Sequence, residues 1–271
     1  MERQATLEHV QQTVYSILIA ISYVHLANDL LQNTIVAIFP ILRESLALSF
    51  AQIGLIAFTM NVTASILQPL IGLYTDRRPL PQILPIGILF SLVGLVGLAW
   101  AKSFPWVLAS VAIMGVGSSV LHPESSRVAY LAAGPRRGMA QSIFQTGGNL
   151  GGAIAPALTA LIVVPRGQGG VLWFAVFTVA ALAVQISVAR WYREQLPLRQ
   201  IDKQRVPSKD VSKKADKIGW YLTILVLLIF SKTIYGAAMT QFYPFYLMQF
   251  YGVSVERAQW QLFILLGAGV L

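Results

Sequence analysis

A chain of 271 residues in which 56% are hydrophobic and only 11% charged departs from the soluble norm, where about a quarter of residues are charged. Its net charge of +9 is spread between long apolar runs and does not form a basic domain, which excludes a nucleic-acid-binding module. With no cysteine in the chain, disulfides and thiolate metal sites are excluded as well.

In chain order, the polar start (Met1–Gln12) leads into an apolar run too long for a signal-peptide core, with no small-residue cleavage site behind it. It reads as a first membrane helix that is retained. A bilayer core takes about 20 apolar residues per helix. That ruler predicts seven complete spans: Thr13–Leu42, Phe50–Tyr74, Ile83–Ala101, Pro105–Tyr130, Met139–Val164, Val171–Trp191 and Ile218–Leu247. An eighth begins near Gln259 and is still apolar at Leu271. The expected fold class is all-α, a polytopic transmembrane helical bundle represented by about seven and a half helices.

Short links make consecutive spans antiparallel neighbours. The long exception, residues 192–217, is rich in Lys and Arg and contains Pro197 and Pro207. It reads as a cytoplasmic basic linker between a six-helix transmembrane half (residues 1–191) and the start of a second half (residues 218–271). Positive residues mark the cytoplasmic side of a membrane protein. With the N-terminus cytoplasmic, that side carries Arg3, Arg77, Arg78, Arg127, Arg136, Arg137 and nine cations between Arg190 and Lys217; the other side carries Arg43, Lys102, Arg166 and Arg257.

A short internal repeat agrees with two halves. Ala37-Ile38-Phe39-Pro40 followed by Phe50-Ala51-Gln52 is echoed by Gln241-Phe242-Tyr243-Pro244 followed by Arg257-Ala258-Gln259. Six-helix halves related by an axis along the membrane normal are the major facilitator architecture. The repeat places Asp29 and Lys232 at similar depth in equivalent helices. Ionisable groups at that depth are costly and point to function, so the pair is a candidate for coupling protons or binding substrate. His25, Asn28 and Gln32 share the face of Asp29 at spacings of three and four.

Further along, His122-Pro123-Glu124-Ser125-Ser126-Arg127 forms a polar cluster in the fourth span, with Pro123 expected to kink or weaken the helix and Glu124 and Arg127 at i, i+3. The fifth span carries Gln141, Gln145 and Asn149 on one face. It also holds Gly147, Gly148, Gly151 and Gly152 ahead of Pro156, small residues that allow close helix packing. Between the second and third spans, Gly72, Asp76, Arg77 and Arg78 match the major facilitator loop signature, which departs after Arg78 into Pro79-Leu80-Pro81-Gln82. In that superfamily the loop acts as a gate brace.

The stretches His25–Gln32, Gln68-Pro69 with Thr75–Pro79, His122–Ala129 and Ala140–Gly152 resemble the fosmidomycin resistance family, a bacterial branch of the major facilitator superfamily. The resemblance implies a drug-resistance antiporter of the bacterial inner membrane that exports small molecules such as fosmidomycin by alternating access as protons enter. An anionic phosphonate cargo needs a cationic partner, for which Lys232 and Arg127 are candidates. It also implies twelve helices, so that the chain reads as truncated; a non-transporting fragment or membrane subunit needing a partner half is the alternative. The expected partners are a small molecule, protons and the lipid bilayer, with no nucleic acid. No cofactor or metal is expected, since Gly147–Gly152 lies inside an apolar span where a phosphate cradle is misplaced. Nor is an enzyme: no nucleophile or metal spacing joins Asp29, His122 and Glu124.

Overall fold

The computed structural model describes residues 12–203 and 215–269, with backbone alone for residues 198–203, 215–217 and Lys232. Among them every regular element is helical. The first span is split: α1 (Tyr15–Ala37) stops where Pro40 lacks an N–H to continue the ladder, and α2 (Phe39–Ser45) starts with that proline in its first turn. Ser49 then opens α3 (Phe50–Arg77) with a reciprocal capping box, in which the Gln52 amide N–H donates to Ser49 Oγ at 3.2 Å and the Ser49 N–H to Gln52 Oε1 at 2.9 Å.

Three helices follow: α4 (Ile83–Ala99), α5 (Phe104–Ala132) and α6 (Arg137–Leu158). Past Pro156 the ladder of α6 widens into a π turn (Thr159–Val163) and then tightens into 3₁₀ turns up to Phe174. The remaining helices are α7 (Ala175–Lys203), α8 (Ala215–Tyr251) and α9 (Val255–Ala268), the last capped by Ser254 Oγ, which accepts from the Arg257 N–H. By length and composition five stretches can cross a membrane: Phe50–Arg77, Phe104–Ala132, Arg137–Arg166, Gln168–Pro197 and Ile218–Tyr251. Two of the expected spans fall short of that standard. At 17 residues, α4 reaches about 26 Å against a core of about 30 Å. In α1 the length is present, but His25, Asn28, Asp29, Gln32 and Asn33 dilute its apolar character.

Two other differences from the sequence reading have local causes. Helix α7 runs through Pro197 to Lys203, into the stretch read as linker, and so Tyr192 is a fully buried helical residue; residues 204–214 lie outside the described residues. Helix α5 passes Pro123 without a break, because one missing N–H removes only one rung from a 29-residue ladder. The cap serines also shift the repeat: Ser254 is the counterpart of Ser49, which moves Gln259 out of register with Gln52.

Helix α1 is the centre of the bundle, packed chiefly on α6 and also on α5 and α7, while α5 joins α3 to α4. Small residues set the closest approaches. A Cβ on Gly147 would collide with the backbone oxygen of Ser22, and one on Gly151 with that of Leu26, so α6 lies directly on the α1 backbone. Around this seam the apolar core falls into three layers. One lies toward the end bearing Arg77 and Arg136 (Leu18, Val128, Phe144, Tyr192), a small one at mid-depth (Val24, Ile88, Leu121), and a large one toward the far end (Ile35, Phe39, Ile56, Val111). Large side chains such as Ile19, Phe58, Val93 and Leu161 remain exposed, as lipid-facing positions require.

The seam predicts opposite outcomes for two glycines of one helix. Gly151→Ala is expected to cost about 1–3 kcal/mol through overpacking. Gly138→Ala, with nothing within 4 Å of the added methyl, is expected to be neutral or to stabilise by up to about 1 kcal/mol. Thermal unfolding in detergent distinguishes them, and equal midpoints would remove the seam from the account.

Candidate functional site: a polar cluster inside the bundle

The seam brings the polar stripe of α1 against α5 and α6. Asp29 has one imidazole on each side: His25 Nε2 is 3.3 Å from its Oδ2 and His122 Nε2 is 3.5 Å from its Oδ1. Asn28 Nδ2 donates to Oδ1 at 3.1 Å and Gln32 Nε2 stands at 3.5 Å, its main bond going to Ser118 Oγ at 2.9 Å. A half-buried carboxylate inside the bundle needs such partners, since an unpaired charge is costly in a low-dielectric interior. The histidines are held from behind. The ring of His25 stacks on Phe144 with centroids 4.1 Å apart, and its Nδ1 is 2.8 Å from the Phe144 carbonyl oxygen; His122 Nδ1 lies 3.2 Å from the Ser118 carbonyl oxygen. Gly148 makes room for the cluster, because a Cβ there would stand 2.5 Å from His25 Nε2 and 2.7 Å from Asp29 Oδ2.

Five of the residues singled out in the sequence, His25, Asn28, Asp29, Gln32 and His122, therefore form one site. The side chain of Lys232 lies outside the described residues, and the ionisable partners of Asp29 among the described residues are the two histidines. Gln145 and Asn149 bond to each other at 3.3 Å on the exposed face of α6, and Gln141 bonds to Ser126 at 2.9 Å; none of these bonds reaches Asp29. Sequence reasoning missed Ser118 and Phe144. Ser118 stands one turn before His122, a spacing that could have been read. The Phe144 carbonyl becomes a partner only through tertiary packing.

A second cluster sits toward the Arg77 end. Arg127 Nη1 donates to Glu124 Oε1 at 2.8 Å and to Tyr192 OH at 3.5 Å, while Nη2 pairs with Asp76. Glu124 is fully buried, its Oε2 has no partner among the described residues, and among them Arg127 is the cation paired with it. Asp76 is mostly exposed, and Arg77 and Arg78 are exposed and enter no ion pair among the described residues. Gly72 faces Pro123 at ordinary contact distance.

Between α1, α3 and α8 lies a cavity of about 570 Å³ whose polar lining is Gln32, Asn33, Asn61, Thr233, Thr240 and Gln241. Beyond its far end two contacts join the helices. The fully buried Gln259 donates from Nε2 to the Ala37 carbonyl oxygen at 2.9 Å, and Phe245 meets the edge of Phe50 at 5.2 Å. Toward the Arg77 end the large apolar side chains of α8 from Ile218 to Tyr235 are exposed.

Removing Arg127 tests the second cluster. Arg127→Gln is expected to cost about 3–5 kcal/mol by leaving Glu124 buried and unpaired, and Glu124→Gln added to it is expected to restore most of the loss. A double variant no more stable in detergent than Arg127→Gln alone would contradict this.

A family model described as Major Facilitator Superfamily matches residues 21–271. The Fosmidomycin resistance protein of Escherichia coli (strain K12) is 45% identical over 95% of this chain and 63% of that protein. The MFS-type transporter YfnC of Bacillus subtilis (strain 168) is 44% identical over 99% of this chain and 66% of that protein. The chain thus spans slightly under two thirds of the length of these relatives. Among solved structures, a D-xylose-proton symporter superposes with a TM-score of 0.72 at 17% identity, over 96% of this chain and 67% of its own. An inward-facing, unoccupied bacterial homologue of the human lysosomal transporter Spinster gives 0.69 at 18% identity, over 91% and 58%. The two superpositions share the fold, the family model covers nearly the whole chain, and the chain belongs to the major facilitator superfamily.

Proposed function

We propose that the chain works as a secondary transporter that exports small molecules across the bacterial inner membrane by alternating access, with protons entering as cargo leaves. The observation that carries the reading is the polar-lined cavity between α1, α3 and α8, beyond whose far end Gln259 bonds the Ala37 carbonyl and Phe245 meets Phe50. With the Arg77 end in the cytoplasm, as the positive-inside rule favours, this is a vestibule that loads from inside. Proton entry as the drive extends the resemblance of His25–Gln32 and His122–Ala129 to the fosmidomycin resistance family.

Fosmidomycin is the cargo suggested by the printed name of the 45% identical relative. As an anion it needs a cation on the path. Arg127 is already committed to Glu124, Asp76 and Tyr192, which leaves Lys232, a sequence neighbour of the cavity-lining Ile229 and Thr233. Asn61 and Gln241 then supply neutral hydrogen bonds from opposite walls.

Cells expressing the gene that encodes this chain are expected to tolerate several-fold more fosmidomycin than control cells. Lys232→Met is expected to abolish the gain and Lys232→Arg to keep it. In energised everted vesicles, adding fosmidomycin is expected to release lumenal protons, seen as recovery of a quenched pH dye. Control-level tolerance would overturn the export reading, full tolerance with Lys232→Met would remove the role of that lysine, and tolerance without dye recovery would remove the proton drive.

A further inference from the structure

The hydrogen-bond partners behind the two histidines decide which ring nitrogens face Asp29 bare. A carbonyl oxygen can only accept, so His25 Nδ1, 2.8 Å from the Phe144 oxygen, carries hydrogen. His122 Nδ1 lies 3.2 Å from the Ser118 carbonyl oxygen and 3.3 Å from Ser118 Oγ, and a hydrogen on Nδ1 suits both, since the carbonyl accepts and the hydroxyl can accept. With hydrogen on both Nδ1 atoms, Nε2 is the lone-pair nitrogen of each neutral ring, and both are aimed at one carboxylate. In that tautomer three electron-rich ligand groups, two imidazole nitrogens and a carboxylate, converge on one place. Metal-binding histidines are held in this way, with the outer N–H fixed on a backbone carbonyl and the inner nitrogen free.

The separations agree. Distances of 3.3 and 3.5 Å between Nε2 and the carboxylate oxygens are long for charge-assisted hydrogen bonds, which run about 2.7–2.9 Å. Each is close to the edge, roughly 3.3–3.4 Å, of a tetrahedron with corners about 2.0–2.1 Å from a zinc-like ion; they end on the two different oxygens of Asp29, so one ion meets both rings only once the carboxylate turns or both its oxygens share the ion. One ligand atom from each of His25, Asp29 and His122 lies within 4.8 Å of the others. The back of the site is closed by Phe144 and Gly148, and His25 is only 4% exposed; His122 and Asp29 are 31% and 21% exposed. We propose that His25, Asp29 and His122 form a binding site for one divalent transition-metal ion of the zinc class, with a fourth position open beside His122. Two imidazoles and a carboxylate suit Zn²⁺, Co²⁺ or Ni²⁺ better than Mg²⁺ or Ca²⁺, which favour all-oxygen shells. The open position takes water or an anionic oxygen. Asn28 on Asp29 Oδ1, and Gln32 through Ser118, hold the ligands in place from outside.

The site is measurable without cargo or a gradient, so its failure and the failure of the export reading are separate results. Purified protein with its affinity tag removed is titrated with Co²⁺ in detergent. One equivalent is expected to bind and to give the intense visible bands of four-coordinate cobalt, displaced by Zn²⁺. Asp29→Asn and His122→Gln are expected to lose those bands, Asn28→Leu to weaken binding about 10–100-fold, and His9→Gln to change nothing. Absence of stoichiometric binding by the unaltered protein overturns the proposal. So do bands of unchanged intensity in both Asp29→Asn and His122→Gln, which keeps the test decisive even if one variant folds poorly.

Discussion

The close approach of α6 to α1 is the constraint on which the rest of the structure depends. Lipid offers no hydrophobic drive for one helix to pack on another, so contact must come from shape, and shape here comes from Gly147 and Gly151 lying on the α1 backbone, with Gly148 against the side chains of His25 and Asp29. With bulkier residues the two helices would stand apart. His25 would lose the Phe144 ring and carbonyl together, and Asp29 would lose an orienting neighbour inside the membrane. The same glycines that pack the bundle therefore permit a carboxylate at mid-depth.

Polar groups occur at three depths, each with its own arrangement. Toward the basic end, Arg127 ties α5 to the α3 terminus through Asp76 and to α7 through Tyr192, with Glu124 buried beneath it. At mid-depth the Asp29 cluster joins α1 to α5. At the far end Gln259 reaches from α9 to the carbonyl left at the break of α1, and its Oε1 is buried without a partner among the described residues. One neutral hydrogen bond with an unsatisfied acceptor is easier to open than an ion-pair network. That ordering fits a molecule whose far end must release while its first six membrane-crossing segments stay together.

Much of this was legible in the sequence because membranes impose strong patterns. Apolar runs located each helical stretch, though not the split of the first span or the C-terminal end of α7, and the stripe at 25, 28, 29 and 32 announced one polar face. What stayed hidden depended on the third dimension. Asp29 was matched with Lys232 by repeat logic, yet its described ionisable neighbours are His25 and His122, and the second comes from a helix about ninety residues away. No local spacing reveals a donor set split in this way. Tyr192 was hidden for a different reason: Pro197 and the run of cations after it look like a linker, whereas α7 continues to Lys203 and buries that ring.

The central claim is alternation between a closed far end and an open basic end. Because the chain has no cysteine, introduced pairs report cleanly. Spin labels at Leu73→Cys with Leu225→Cys follow the basic ends of α3 and α8, and Glu44→Cys with Gln249→Cys follow the far side. Pulsed dipolar distances in nanodiscs are predicted to move in opposite directions when fosmidomycin is added, the first pair shortening as the second lengthens. Distances that stay fixed in both pairs, or that change together, would contradict the account.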